Sequence, residues 1–183
     1  MICFTILAAT SRMLERAIQY LPECHADTAL LRHFIPDHSF SIHCLGCPEV
    51  ANTMLSVKAD EYRLIGLVDN DNDLDTRCKG FFKSFTVVEQ DNRIVLRENS
   101  IRQQYLIVID KAIESFLIWN AERVGVDMES YGFVPTVKQL RRQTKLPAIE
   151  TDPNYRQLLT DLHTRQAPGF LTLERILHDI ILT

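Results

Sequence analysis

The alternation of apolar and polar positions predicts short strands separated by amphipathic helices. An apolar run opens the chain at residues 1–9, an alternating run covers 39–44, and a third apolar run covers 62–68. Runs of this length and character are typical of strands, whereas the segments between them carry apolar residues at helical spacing. The resulting order β-α-β-α-β is typical of a parallel sheet covered by helices.

Helix boundaries follow from residues that favour helix ends. Thr10 or Ser11 is a candidate cap for a helix that runs to about Leu21 and ends before a proline. Further helices are predicted at residues 27–34 and 49–58, where apolar positions recur every three or four residues. These helices would supply the crossover connections that parallel strands require.

The second half of the chain predicts a hairpin, one more strand and several helices. The hairpin covers residues 86–97 with a two-residue turn at 91–92, and an apolar strand follows at 105–109. A helix at 111–124 is expected to end at Gly125, because glycine readily adopts the left-handed conformation that terminates helices.

The C-terminal part of the chain is predicted to be helical. Helices are expected at 137–145, 154–164 and 172–182, with Thr172 as a candidate cap of the last one. The fold class is therefore α/β, a small and mainly parallel sheet with flanking helices and a C-terminal helical segment. The predicted organisation is an α/β domain at 1–125 with a helical extension at 126–183 packed on it.

Composition excludes several classes of function. The 183 residues include 46% hydrophobic and 24% charged residues and carry a net charge of −4, so no basic field favours nucleic-acid binding by composition alone. The apolar run at 1–9 is too short to span a bilayer and lacks a signal-peptide pattern. The five cysteines are then expected to be reduced thiols, and the expected location is the cytoplasm, without membrane association.

The candidate chemistry lies where the third predicted strand ends. Asp69, Asp71 and Asp73 follow an apolar run directly. Side chains two residues apart in extended backbone point the same way, so Asp69 and Asp71 would repel each other unless a cation lies between them. Carboxylates are preferred ligands of Mg²⁺. The pattern therefore predicts a divalent metal site at the carboxyl end of a central strand, where open α/β sheets bind ligands.

The chain resembles the Toprim superfamily of topoisomerases, primases and OLD-type nucleases, in the manner of its small stand-alone members. The resemblance is carried by residues 65–71, by 104–114 and by the tail at 166–174. It implies that Asp69 and Asp71 hold Mg²⁺ or Mn²⁺, with Asp73 as a supplementary ligand. It also implies that Glu114 assists as a ligand or catalytic group, and that the partner is nucleic acid, cleaved at phosphodiester bonds.

One departure from the family pattern changes the functional expectation. The family places a glutamate just after its first strand, where it serves in proton transfer. That position falls at Ala8 or Ala9, and no acid is present there. Proton transfer by a placed carboxylate contributes on the order of 10²–10⁴ in rate. The alternative is therefore a catalytically inactive Toprim-like interaction module with a protein partner.

Two other enzyme classes share part of the pattern. Haloacid dehalogenase-type phosphatases also place Asp-x-Asp after a strand, but Asp73 stands where they usually have threonine or valine. Cys44 and Cys47 lie between a predicted strand and a helix, as in thioredoxin-like redox proteins, where the helix N-terminus lowers the thiol pKa. The segment at 83–86 lacks the proline that packs beside the thiols in that family.

The remaining polar residues give weaker signals. The basic cluster Lys138, Arg141, Arg142 and Lys145 is either a phosphate-binding face or a solvated helix surface. A zinc site would have to be built from His38, His43, Cys44 and Cys47, which crowd into ten residues and therefore fit buried thiols better. The histidines at 25, 33, 163 and 178 are isolated in sequence and receive no role.

Overall fold

A five-stranded mixed sheet organises the molecule. The computed structural model describes residues 16–35, 37–70 and 74–182. The strands are β1 (Ala17–Pro22), β2 (Tyr62–Asp69), β3 (Thr86–Asp91), β4 (Ile94–Asn99) and β5 (Gln104–Ile109). Their order in the sheet is β1-β2-β5-β4-β3. The first three strands in this order are parallel, and β4 and β3 add an antiparallel ribbon. The predicted α/β class is thus confirmed.

Helices cover both faces of the sheet. They are α1 (His25–Phe34), α2 (Cys47–Leu55), α3 (Lys58–Glu61), α4 (Leu74–Arg77), α5 (Ile113–Val124), α6 (Val137–Thr144), α7 (Pro153–Thr164) and α8 (Pro168–Leu182). Short 3₁₀ helices lie at His38–Phe40, Phe81–Ser84, Met128–Tyr131 and Pro147–Glu150. None of the described helices has the length and apolar content needed to cross a membrane.

The central strands are buried on both faces. In β2, Ile65 and Leu67 face the core formed with α1, α5, α7 and α8, whereas Leu64 and Val68 face a second core beneath α2. The backbone of β2 packs closely against α2 at Gly66, since a Cβ there would lie 2.9 Å from Val50 Cγ1. This double burial explains why the strand sequence is continuously apolar rather than alternating.

The predicted helix up to Leu21 is wrong over the residues that the structure describes. Residues 17–22 form β1, whose Ala17 pairs with Tyr62 and whose Pro22 pairs with Leu67. Pairing with β2 buries Tyr20 and Leu21 in the two opposite cores. This burial stabilises the strand, and it cannot be inferred from the local helical spacing of apolar residues. The predicted strand at 1–9 lies outside the described residues.

The predicted strand at 39–44 is also wrong as a regular element. Its first residues belong to the 3₁₀ helix, and Ser41 forms only an isolated bridge with Tyr20. Backbone hydrogen bonds from Ile42 N to Tyr20 O and from Cys44 N to Pro22 O, both 2.9 Å, nevertheless lay this segment along β1. It therefore covers the edge of the sheet without extending it.

The other predicted elements are present with shifted boundaries. The hairpin turn lies at Asn92 and Arg93, one residue later than expected, and both residues have positive φ, as a type I′ turn requires. Gly125 terminates α5 with φ 65°, as predicted. Thr172 is not a cap, because α8 already begins at Pro168.

Candidate functional site

Three acidic residues line one cleft where the parallel strands end. Glu23 follows β1, Asp69 ends β2, and Glu114 lies in the first turn of the helix that follows β5. The carboxyl ends of parallel strands share one edge of the sheet, which is where α/β proteins bind ligands. All three carboxylates line a single cleft with a volume of about 400 Å³.

Asp69 connects the two strand ends to α5. Its backbone N–H donates to Glu23 Oε2 at 3.3 Å, and its own Oδ1 accepts from Ile113 N at 2.9 Å. The second bond places a carboxylate at the N-terminus of a twelve-residue helix, where negative charge is favoured. The backbone thus fixes both carboxylates before any ligand is bound.

Glu114 is held from the opposite wall of the cleft. It is 2% exposed, and Thr144 Oγ1 donates to its Oε1 at 2.5 Å. Arg141 Nε lies 3.5 Å from its Oε2. Both partners lie on α6, so this buried glutamate joins α5 to α6 as well as facing the cleft.

Asp27 is a fourth acid beside this group. It is fully buried, no nitrogen or oxygen donor reaches either carboxylate oxygen, and the Cys24 thiol is its polar neighbour. Burial, together with the negative charges of Glu23 and Glu114, raises its pKa well above the ordinary value. Asp27 itself does not line the cleft, so the carboxylates that an ion in the cleft could reach are those of Glu23, Asp69 and Glu114.

Basic side chains line the same cleft. Arg77, Arg141 and Lys145 lie on its rim, facing the acids at the end of the sheet. The predicted basic cluster is therefore divided, because Lys138 and Arg142 are exposed and do not line this cleft. A cleft with carboxylates at its floor and cations at its rim can hold a metal ion and a phosphate together.

The structure brings together some of the residues predicted from sequence. Asp69 and Glu114 share the cleft, whereas Asp71 and Asp73 lie outside the described residues. The expectation that no acid follows the first strand concerned residues 1–9, which lie outside the described residues. The strand paired with β2 ends at Pro22, and Glu23 comes next.

Glu23 and Asp27 were missed because β1 was mistaken for the end of a helix. The signal that could have found Glu23 is a strand-like run with an acid directly after it, the same arrangement that marks Asp69. Asp27 lies one helical turn beyond Glu23, on the face of α1 that turns toward the core.

Cys44 and Cys47 are buried in the core beneath α2. Burial raises the pKa of Cys44, opposite to the change that a redox-active thiol at a helix N-terminus would show. The sulfur nearest to Cys47 belongs to Cys78, whose thiol donates to Cys47 Sγ at 3.1 Å within the buried core. The described cysteines Cys24, Cys44, Cys47 and Cys78 are all free thiols.

Comparison of the chain with family models, with curated proteins and with solved structures gave no match. The resemblance to the Toprim superfamily therefore stays a prediction from the sequence pattern.

Proposed function

We propose that this protein binds Mg²⁺ or Mn²⁺ in the acidic cleft and acts on phosphodiester bonds of nucleic acid. The observation that carries the proposal is the meeting of Glu23 and Asp69 at the ends of adjacent parallel strands, tied by a hydrogen bond. The strand-then-acid arrangement of β1 beside that of β2 agrees with the pattern that the Toprim resemblance implies.

The electrostatics of the site support a cation. Burial, and next the negative charge of Glu23, raise the pKa of Asp27, and the charge of Glu114 acts in the same direction. Clustered carboxylates repel one another, and a divalent ion relieves that repulsion while satisfying their oxygens. When bound, such an ion would neutralise charge on the phosphate oxygens of the substrate.

Each residue of the cleft has a distinct task in this proposal. Asp69 and Glu23 hold the ion between the ends of β2 and β1. Arg77 and Lys145 bind the phosphate from the rim. Arg141 also orients Glu114, so its loss would disturb both walls of the cleft.

The ground for an inactive interaction module was the absence of an acid after the first strand. Glu23 supplies an acid after the strand that adjoins β2, and this supports the catalytic alternative. Membership of the Toprim superfamily is part of the same proposal.

The test compares ion binding and cleavage in conservative variants. Glu23→Gln and Asp69→Asn keep the size of each side chain and a carbonyl oxygen for the existing hydrogen bonds, but remove the charge. We expect both variants to lose Mn²⁺ binding, measured by calorimetry, and metal-dependent nicking of supercoiled DNA or cleavage of single strands. Asp60→Asn and Glu61→Gln are matched controls, because both residues are exposed and precede β2 at the opposite edge of the sheet.

Two results would contradict the proposal. One is Mn²⁺ binding that both variants retain. The other is ion binding without cleavage of any DNA or RNA substrate, which would leave the metal site but remove the enzymatic role.

A further inference from the structure

A second cluster of ligand groups includes two residues that line the same cleft, His25 and His43. His25 is the first residue of α1, His43 lies in the segment that covers the edge of β1, and Glu150 ends the 3₁₀ helix at Pro147–Glu150. One ligand atom from each of the three lies within 4.8 Å of the others. The three residues are partly exposed, so an ion could reach them from solvent.

We propose that His25, His43 and Glu150 bind a divalent transition-metal ion of the Zn²⁺ class. Two imidazoles and one carboxylate with an open fourth position are typical of zinc sites that also bind water or substrate. Imidazole ligands favour Zn²⁺, Co²⁺ and Ni²⁺ over Mg²⁺, which prefers oxygen. This site is therefore chemically distinct from the carboxylate site proposed above.

The hydrogen bonds of His43 prepare one nitrogen for the metal. Thr28 Oγ1 lies 2.9 Å from His43 Nδ1 and itself donates to Cys24 O at 2.8 Å. Because the hydroxyl hydrogen is directed to Cys24, Thr28 Oγ1 accepts from the N–H at Nδ1. The neutral ring then carries its lone pair on Nε2, and such outer hydrogen bonds commonly orient metal-binding histidines.

Glu150 is prepared in a similar way. Arg32 Nη1 donates to its Oε2 at 2.6 Å, which fixes the carboxylate and directs Oε1 toward His25 Nδ1 at 2.5 Å. In the absence of an ion, the hydrogen on His25 Nδ1 joins these two atoms. A metal ion would take that place at Nδ1, and the neutral ring would then carry its hydrogen on Nε2.

The imidazole rings must rearrange when the ion binds. They are stacked with centroids 4.2 Å apart and an angle of 11° between their planes. A metal ion lies close to the plane of each imidazole ring that binds it. No position is close to both ring planes while the two rings are stacked in parallel. One ring therefore turns about its Cβ–Cγ bond, and the stack opens.

The experiment is a titration of the tag-free protein with Zn²⁺ or Co²⁺ in the presence of excess Mg²⁺. Calorimetry measures Zn²⁺ affinity and stoichiometry, and visible absorption of Co²⁺ reports its coordination. We expect one site, and at least tenfold weaker binding in each of His25→Ala, His43→Ala and Glu150→Gln. His178→Ala is the matched control, since this histidine is 68% exposed and lies outside the cluster.

Three results would overturn the proposal. They are the absence of a stoichiometric Zn²⁺ site, binding that survives all three substitutions, and a sulfur-to-Co²⁺ charge-transfer band showing that a cysteine is a ligand. Circular dichroism and thermal melting without metal identify any variant that fails to fold. Zn²⁺ binding by the two remaining variants then decides whether the proposal holds.

The two proposed sites can fail independently. Asp69→Asn is expected to keep Zn²⁺ affinity and lose Mn²⁺ affinity, whereas His43→Ala is expected to do the reverse. If Asp69→Asn loses Zn²⁺ binding and the histidine variants keep it, the ion is bound by the carboxylates and the histidine site is rejected.

Discussion

His33 shows how burial controls the charge of a single side chain in this protein. It lies in the last turn of α1, with Nε2 3.0 Å from His163 Nδ1, and packs against Phe34 and Phe170. Burial, and next the neighbouring His163, lower its pKa below the ordinary value of 6.5, although Glu174 acts in the opposite direction. The folded protein therefore resists protonation at this position.

The sign of the resulting pH dependence follows directly. Because the pKa of His33 is lower in the folded than in the unfolded chain, its stabilising contribution is complete above pH 6.5 and is lost as the pH falls below that value. We expect His33→Gln to flatten the pH dependence of the free energy of unfolding between about pH 5 and pH 7. Urea unfolding at several pH values measures this, and an unchanged slope would show that another group dominates.

At the residue scale, the sequence predicted the acids that follow an obvious strand and missed those that do not. Asp69 and Glu114 adjoin apolar runs that are buried on both faces, so their positions could be inferred locally. His25, His43 and Glu150 come from segments up to 125 residues apart, and only the folded chain brings them together. No local pattern encodes such a site.

At the element scale, the sequence pattern predicted a helix at α8 but also predicted a helix at β1, which is a strand. The helical spacing around α8 predicted its existence, because burial of one face is what stabilises a surface helix. β1 was mistaken for a helix because its stability comes from pairing with β2. The paired residues are distant in sequence, since Ala17 pairs with Tyr62, forty-five residues later. Elements whose partners are distant are those that local periodicity predicts least well.

The close contact between α8 and α5 gives a prediction about packing. A Cβ at Gly169 would lie 2.7 Å from Asn120 Nδ2 and nearer still to the Phe116 ring, while Gly169 N donates to Asn120 Oδ1 at 2.8 Å. We expect Gly169→Ala to lower the free energy of unfolding by about 1–3 kcal/mol, because overpacking exceeds the gain in helix propensity. Chemical denaturation measures the change.

A second substitution distinguishes crowding from other causes. Phe116→Leu removes the ring that a Cβ at Gly169 would meet. In the background of Phe116→Leu, Gly169→Ala should therefore be less destabilising than it is alone. Strict additivity of the two changes would show that the contact does not cause the effect.

At the scale of the whole molecule, the sequence predicted the α/β class and placed Asp69 at the carboxyl end of a central strand. Both follow from apolar runs separated by amphipathic segments, a pattern that allows few topologies. The identity of the first parallel strand was not predictable in this way. Because β1 was assigned to a helix, the pattern pointed to residues 8–9 for an acid after the first strand and left Glu23 without a role.

The cleft joins distant parts of the chain, so binding of an ion there should stabilise the whole fold. Glu23 follows β1, Asp69 ends β2 and caps α5 at Ile113, and Glu114 links α5 to α6. Ligand binding to the folded state alone adds about 2.7 kcal/mol when the free ligand is at 100 times its dissociation constant. We expect Mg²⁺ to raise the melting temperature relative to EDTA, and Glu23→Gln to abolish that increase.

Hydrogen exchange tests whether this stabilisation originates at the cleft. The amide hydrogens of Asp69 and Ile113 are bonded to the carboxylates of Glu23 and Asp69, so immobilising those carboxylates should slow their exchange. Amides of the β3–β4 hairpin, at the far edge of the sheet, should slow only as far as global unfolding is suppressed. Protection that is equal at both places would indicate general stabilisation by the salt, and would argue against an ion held between the ends of β1 and β2.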